Sequence, residues 1–122
     1  SPKNESMAVE EIKKEMKKSE GKIQQECVIY FRNNNLKTNN LIFSVPNEGK
    51  SAAEQMYKKA LGMMAGVSDT IIIMQNKIIF CEFKDDHGKQ SDKQIIFQKK
   101  VENLGFEYWL IRSIEEFKIK IN

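Results

Sequence analysis

Glu82 and Lys84 stand two residues apart in "IIFCEFKDDHGKQSDKQ", residues 78–94, within a run whose Ile78, Ile79, Phe80, Cys81 and Phe83 are the types that fill a sheet interior. Side chains two apart on a strand share a face, so this carboxylate and ammonium point the same way. Burying either is costly unless it is paired or bound to a metal. A second acid, Asp69, opens the other apolar run, "DTIIIMQ". A two-residue turn at Asn76 and Lys77 would pair Gln75 with Ile78, setting Asp69 opposite Lys84 and Glu82 opposite Ile71. Asp69, Glu82 and Lys84 then share one face at one end of the sheet. A three-residue turn would send Asp69 to the other face.

Two carboxylates around one point, joined by no histidine or thiolate, suit a hard, oxygen-seeking cation such as Mg²⁺ or Mn²⁺. A lysine beside that cation can hold or polarise a water and stabilise charge growing on a phosphoryl oxygen. The chemistry that fits is metal-assisted phosphodiester hydrolysis. The same spacing also fits a surface ion pair with Asp69 as a loop-edge residue, because an acid followed at a distance by Glu-x-Lys is a loose pattern.

Several elements must position these groups. Ile23, Cys27, Val28, Tyr30 and Phe31 recur at helical spacing between Lys22 and Asn33, where a run of asparagines ends the pattern. "LIFSV" at 41–45 reads as a short strand stopped by Pro46, and Ser51 with Glu54 as a capping box opening a helix to about Met63. The two strands of the hairpin follow. Ser91 begins a helix with an apolar face of Ile95, Phe97, Val101 and Leu104, closed by Gly105; "FEYWLI" is a fourth strand, and Ser113 with Glu116 caps a last helix. This order predicts a mixed four-stranded sheet with helices on its faces, of the α/β or α+β class. Met56, Met63, Met64 and Met74 read as core filling.

The chain of 122 residues fits one domain, and twenty Lys plus Arg against seventeen Asp plus Glu give a net charge of +3. Arg32 and Arg112 are the only arginines, and lysine is a point charge that suits phosphate contact better than base reading. Cys27 and Cys81 make no CxxC pair and read as buried free thiols in a reducing compartment. No apolar run is long enough to span a bilayer and none resembles a secretory signal, so a soluble intracellular protein with no membrane partner is expected. Residues 1–18 read as an extension, helical or disordered, before a domain at 19–122.

The blocks "SEGKIQ" at 19–24, "VPNEG" at 45–49, "GVSD" at 66–69, "CEFKDDHGKQSDKQ" at 81–94 and "LGFEYWLIRSIEEF" at 104–117 together resemble the VRR-NUC branch of the PD-(D/E)XK nucleases. The usual family block reads Gly-Val-Pro-Asp, and Ser68 stands where proline is common, which loosens a turn and leaves the acid in place. The resemblance implies a restriction-endonuclease-like fold and a divalent metal, Mg²⁺ or Mn²⁺, at Asp69 and Glu82 with help from the Phe83 carbonyl. Lys84 is then the catalytic lysine. Gln94 matches a glutamine that reaches the site from the helix, although Ser91 and Gln94 also form a capping box unaided. Glu20 matches the glutamate of the first helix, with Glu26 as its competitor.

His87, the only histidine, reads as a solvated loop residue. Asn47, Lys50 and Lys89 are candidates for contact with nucleic-acid backbone. The implied activity is a structure-selective DNA endonuclease acting on branched DNA such as Holliday junctions, because stand-alone members of this family resemble junction resolvases. Two symmetric cuts from one site per chain call for a homodimer. Ile71 to Met74, Tyr57 and Tyr108 offer apolar material for its interface and are equally suited to a core. The alternatives are a repair or restriction-type nuclease on duplex, flap or single-stranded DNA, and a DNA-binding module without turnover.

Overall fold

The computed structural model describes residues 19–46 and 50–122. The extension at 1–18 and Asn47 lie outside the described residues. The elements follow as α1 (Glu20–Asn33), β1 (Leu41–Ser44), α2 (Ala52–Ala60), β2 (Thr70–Met74), β3 (Lys77–Phe83), α3 (Asp92–Asn103), β4 (Glu107–Ile111) and α4 (Ile114–Ile121). The four strands lie side by side in chain order; β1, β2 and β3 are antiparallel and β4 joins β3 in parallel through the α3 crossover. The α+β class with a mixed sheet is therefore as expected.

Strand alternation sorts the sheet into two faces. Ile42, Ile72, Ile79, Cys81, Phe83, Trp109 and Ile111 point to one side and form the core with Ile23, Cys27 and Phe31 of α1 and Phe117 of α4. Both cysteines are buried there as free thiols. On the opposite face Phe97 of α3 packs edge-on against Phe80 and Tyr108, with ring centroids 5.6 and 6.3 Å apart. Glu82 belongs to that second face, at the end of the sheet remote from the hairpin turn. Among the described residues no helix is long and apolar enough to cross a membrane.

All four described helices start where a serine caps them, Ser19 accepting from Lys22 N at 3.2 Å on α1. Ser91 and Gln94 form the complete box on α3. At α2 and α4 only half of it forms: Ser51 and Ser113 accept from the N–H three residues on, but Glu54 and Glu116 accept from Lys50 N and Arg112 N instead of from the capping serines.

Several expectations are corrected. The hairpin turn is Gln75-Asn76, with Met74 paired to Lys77 and Thr70 to Cys81. Asn76 occupies the left-handed region at φ 59°, which asparagine tolerates better than most residues, and this draws the turn one residue earlier. Ile71 consequently faces Phe80, and one further step along the ladder sets Asp69 opposite Glu82 rather than Lys84. Because pairing moves by two residues, no side chain changes face. Helix α2 stops at Ala60, before Met63, where Gly62 takes φ 108°. It buries no residue, so Met56 is 73% exposed and Met64 is also exposed, against their reading as core. Leu104, assigned to the apolar face of α3, is 75% exposed beyond the helix end, and Ile72, offered to an interface, is core.

This assignment predicts that Ile79→Ala lowers the unfolding free energy by about 2–5 kcal/mol. Leu104→Ala should change it by no more than about 0.5 kcal/mol. Paired denaturant titrations check both values.

Candidate functional site

The carboxylate end of the sheet is built from a hairpin, a helix start and a clamped loop. Asp69 enters β2 through a backbone bond from Val45 N to its carbonyl, 2.9 Å, which fixes it beside β1. Ser68, fully buried, donates its hydroxyl to the Thr70 carbonyl at 3.0 Å. The turn expected to loosen without proline is thus held by a side-chain bond.

Asp69 and Glu82 brace each other. The Asp69 N–H donates to Glu82 Oε2 at 3.1 Å, and Asp69 Oδ2 accepts from Phe83 N at 2.9 Å. Gln94 closes the arrangement by donating Nε2 to Glu82 Oε1 at 3.0 Å while its Oε1 accepts from Ser91 N at 2.9 Å. Helix capping and contact with the acid are one geometry, because the box orients the amide so that its NH₂ faces the sheet. Gly66 makes this approach possible: at φ 86° its backbone lies against the first turn of α3, where a Cβ would run into the Lys93 carbonyl and come within 2.9 Å of Gln94 N.

Lys84 lies between two acids, its Nζ 4.0 Å from Glu82 Oε1 and 3.9 Å from Glu20 Oε1. These are distances of charge attraction rather than of hydrogen bonds, and they leave the ammonium's donors available. Lys84 N also donates to the Ile111 carbonyl at 3.0 Å, anchoring the strand end. The loop after it is folded by Asp85 Oδ1, which accepts from His87 N and Gly88 N, and is clamped by Arg112 Nη1, which donates to the carbonyls of Asp85 and Gly88 at 2.6 and 2.8 Å. Gly88 packs beside the site, so that a Cβ there would stand 3.0 Å from Glu20 Oε1 and 3.2 Å from Lys84 Cδ.

The structure therefore gathers Asp69, Glu82, Lys84, Gln94 and Glu20, together with Phe83 through its N–H. Lys50 and Lys89 are exposed and make no ion pair with the acids. His87 is exposed and bonds only through its backbone. Three contributors escape sequence reasoning. Arg112 could have been suspected as one of only two arginines in a lysine-rich chain. Ser68 stands at the one departure from the motif it resembles. Lys93 lines a cleft of about 440 Å³ beside Asp69, with Gly66, Val67 and Gln94, and carries no sequence signal.

Glu82 is 1% exposed and Lys84 9%. Burial, then the charge of Asp69 nearby, pushes the Glu82 carboxyl up to about 8, with Lys84 opposing the shift. Among the described residues no three or more His, Cys, Asp or Glu side chains stand together in a way that could hold a metal ion. The pair alone still fits a hard cation, since Mg²⁺ is commonly held by one or two carboxylates with waters completing its shell. The donors are all oxygens, and a cation would relieve the repulsion that now favours a proton on Glu82.

No known protein family matches this chain, and no curated protein matches it.

The raised Glu82 pKa fixes a sign. The folded state holds this proton more tightly than the unfolded chain, whose carboxyl titrates near 4.5, so the associated stability is complete below that pH and is lost as pH rises through about 8. Metal-free protein should therefore show a lower Tm at pH 9 than at pH 5. Glu82→Gln should flatten that difference, and Mg²⁺ or Mn²⁺ at pH 9 should recover part of it in the parent only. Thermal melts across this range test all three.

Proposed function

We propose that this chain is a divalent-metal-dependent DNA endonuclease that hydrolyses phosphodiester bonds, of the VRR-NUC type within the PD-(D/E)XK nucleases and with their restriction-endonuclease-like fold. The observation that carries this reading is the gathering of Asp69, Glu82, Lys84, Gln94 and Glu20 at one end of the sheet, with Glu82 buried beside a second acid. A structural ion pair would need neither the second acid nor the amide that orients the first.

Asp69 and Glu82 would hold Mg²⁺ or Mn²⁺, with the Phe83 carbonyl as a further oxygen. When bound, the metal supplies a lowered pKa for water and positive charge against the phosphoryl oxygens. Gln94 keeps Glu82 Oε1 fixed in orientation. Glu20 and Glu82 draw Lys84 Nζ between them, where its remaining donors can orient a water and stabilise charge developing on phosphate. Lys93, at the cleft, can contact the backbone of the strand being cut. Branched DNA is the substrate this reading favours, cut by a homodimer that presents two such ends across a junction. Helix α2, with Met56, Tyr57 and nearby Leu61 exposed, offers apolar surface for that pairing.

Labelled four-way junctions, flaps, duplexes and single strands incubated with Mg²⁺, Mn²⁺ or chelator test the activity. Cleavage should require the metal, and Asp69→Asn or Glu82→Gln should reduce it on the order of a hundredfold or more. Lys84→Ala should slow single-turnover cleavage by saturating enzyme while leaving DNA affinity close to the parent's. Full activity in chelator, or in both acid variants, would overturn the assignment. Light scattering with and without junction DNA should report a dimer; a monomer that cuts flaps and ignores junctions would establish the repair-nuclease alternative.

A further inference from the structure

A second concave site lies at the hairpin end of the sheet, opposite the acidic end. The seven residues of β3 separate the two, a distance of about 20 Å. The loop after α1, the β2–β3 turn, β4 and the last turn of α4 enclose a basin of about 660 Å³, within the size range of small-molecule sites. Its composition is uneven in a useful way. Trp109 forms part of an apolar floor, Asn39 and Gln75 stand among the polar wall residues, and Lys77 and Lys120 supply charge, with no carboxylate in the lining.

The two lysines converge on one ring. Lys77 Nζ lies 5.8 Å and Lys120 Nζ 5.9 Å from the centre of the Trp109 indole. Glu107 stands outside the lining and is already engaged, accepting from Trp109 Nε1 at 3.0 Å and pairing with Lys77 at 3.3 Å. It fixes the indole and the first lysine in place. Lys120 has no carboxylate partner among the described residues, and Asn39 and Gln75 make no side-chain hydrogen bond there. Two ammonium groups in one lining, with Glu107 answering only Lys77, leave the basin positively charged, and an anion complements that charge. The volume exceeds what a bare phosphate fills, and carboxamides carry both a donor and an acceptor, as nucleobase edges do.

We infer that this basin binds the 5′-phosphate monoester of a nucleotide, with Lys77 and Lys120 on the phosphate, Trp109 beneath it and Asn39 and Gln75 toward the base. The ligand chemistry is common to a free mononucleotide and to the phosphorylated end of a strand. The site owes nothing to Asp69 or Glu82, so it stands or falls separately from the nuclease reading.

Trp109 is the only tryptophan of the chain, and its fluorescence reports on the basin directly. The full chain is titrated with deoxyadenosine 5′-monophosphate, deoxyadenosine, and matched oligonucleotides with 5′-phosphate or 5′-hydroxyl ends. A saturable change is expected with a 5′-phosphate and not with its unphosphorylated counterpart; which phosphate source binds more tightly identifies the ligand. Lys77→Gln and Lys120→Gln should each raise Kd at least fivefold, Lys120→Arg should restore binding, and Asp69→Asn should leave it unchanged. Circular dichroism verifies that the variants are folded. Absence of a saturable signal from either phosphate source at millimolar concentration, or equal affinity with and without the phosphate, would overturn the inference. So would unchanged affinity in the folded glutamine variants.

Discussion

Two carboxylates pressed together at the end of a hairpin, one of them out of water, form the most demanding arrangement in this fold. Like charges at that distance oppose ionisation, and burial opposes it further. The surrounding groups each answer some part of this: the Asp69 and Phe83 amides donate to the acids, Gln94 donates to Glu82, and Lys84 brings a positive charge from the same strand. The two contacts of Asp69 with Glu82 and Phe83 depend on the pairing of β2 with β3, so the hairpin register decides whether the second acid joins the site.

Around the pair, two pieces of scaffolding act from opposite sides. On one, the missing side chain of Gly66 lets the segment before Asp69 touch the start of α3, which carries Gln94. On the other, Arg112 reaches from the end of β4 to hold the loop that walls Lys84. Both work through backbone carbonyls or backbone closeness, interactions that depend on where chain segments cross in space. The sheet supplies the rigidity; the Gly66 crossing shapes the cleft beside Asp69, and the Arg112 clamp shapes the wall beside Lys84.

That distinction explains what could be read from the residues. Alternation in "IIFCEFK" and the helical spacing of Ile23, Cys27 and Phe31 report local periodicity, and they yield the order of elements and the shared face of Glu82 and Lys84. The turn position depends on one backbone dihedral at Asn76, which composition does not reveal, and the shared face of the site survives the shift because pairing moves by an even number of residues. Leu104 and Met56 looked apolar enough for a core, yet burial depends on whether another element arrives to cover them. Asp69, Glu82 and Lys84 were legible because short-range spacing nearly determines their geometry. Arg112 and Lys93 were not, because only tertiary contacts give them a place.

Arg32 shows how the open side of the sheet is finished. Val45 N bonds to the Asp69 carbonyl, and antiparallel pairs alternate, so Ile42 turns its amide and carbonyl away from β2. The Arg32 guanidinium takes that carbonyl at 3.1 Å. In a strand of four residues this occupies the middle of the exposed ladder, where an incoming extended chain would have to begin hydrogen bonding. Growth of the sheet from molecule to molecule at its β1 edge, the route to fibrous aggregates, is obstructed by one side chain that the core does not need. Replacing Arg32 would expose a template for strand addition while leaving every buried contact of the fold intact.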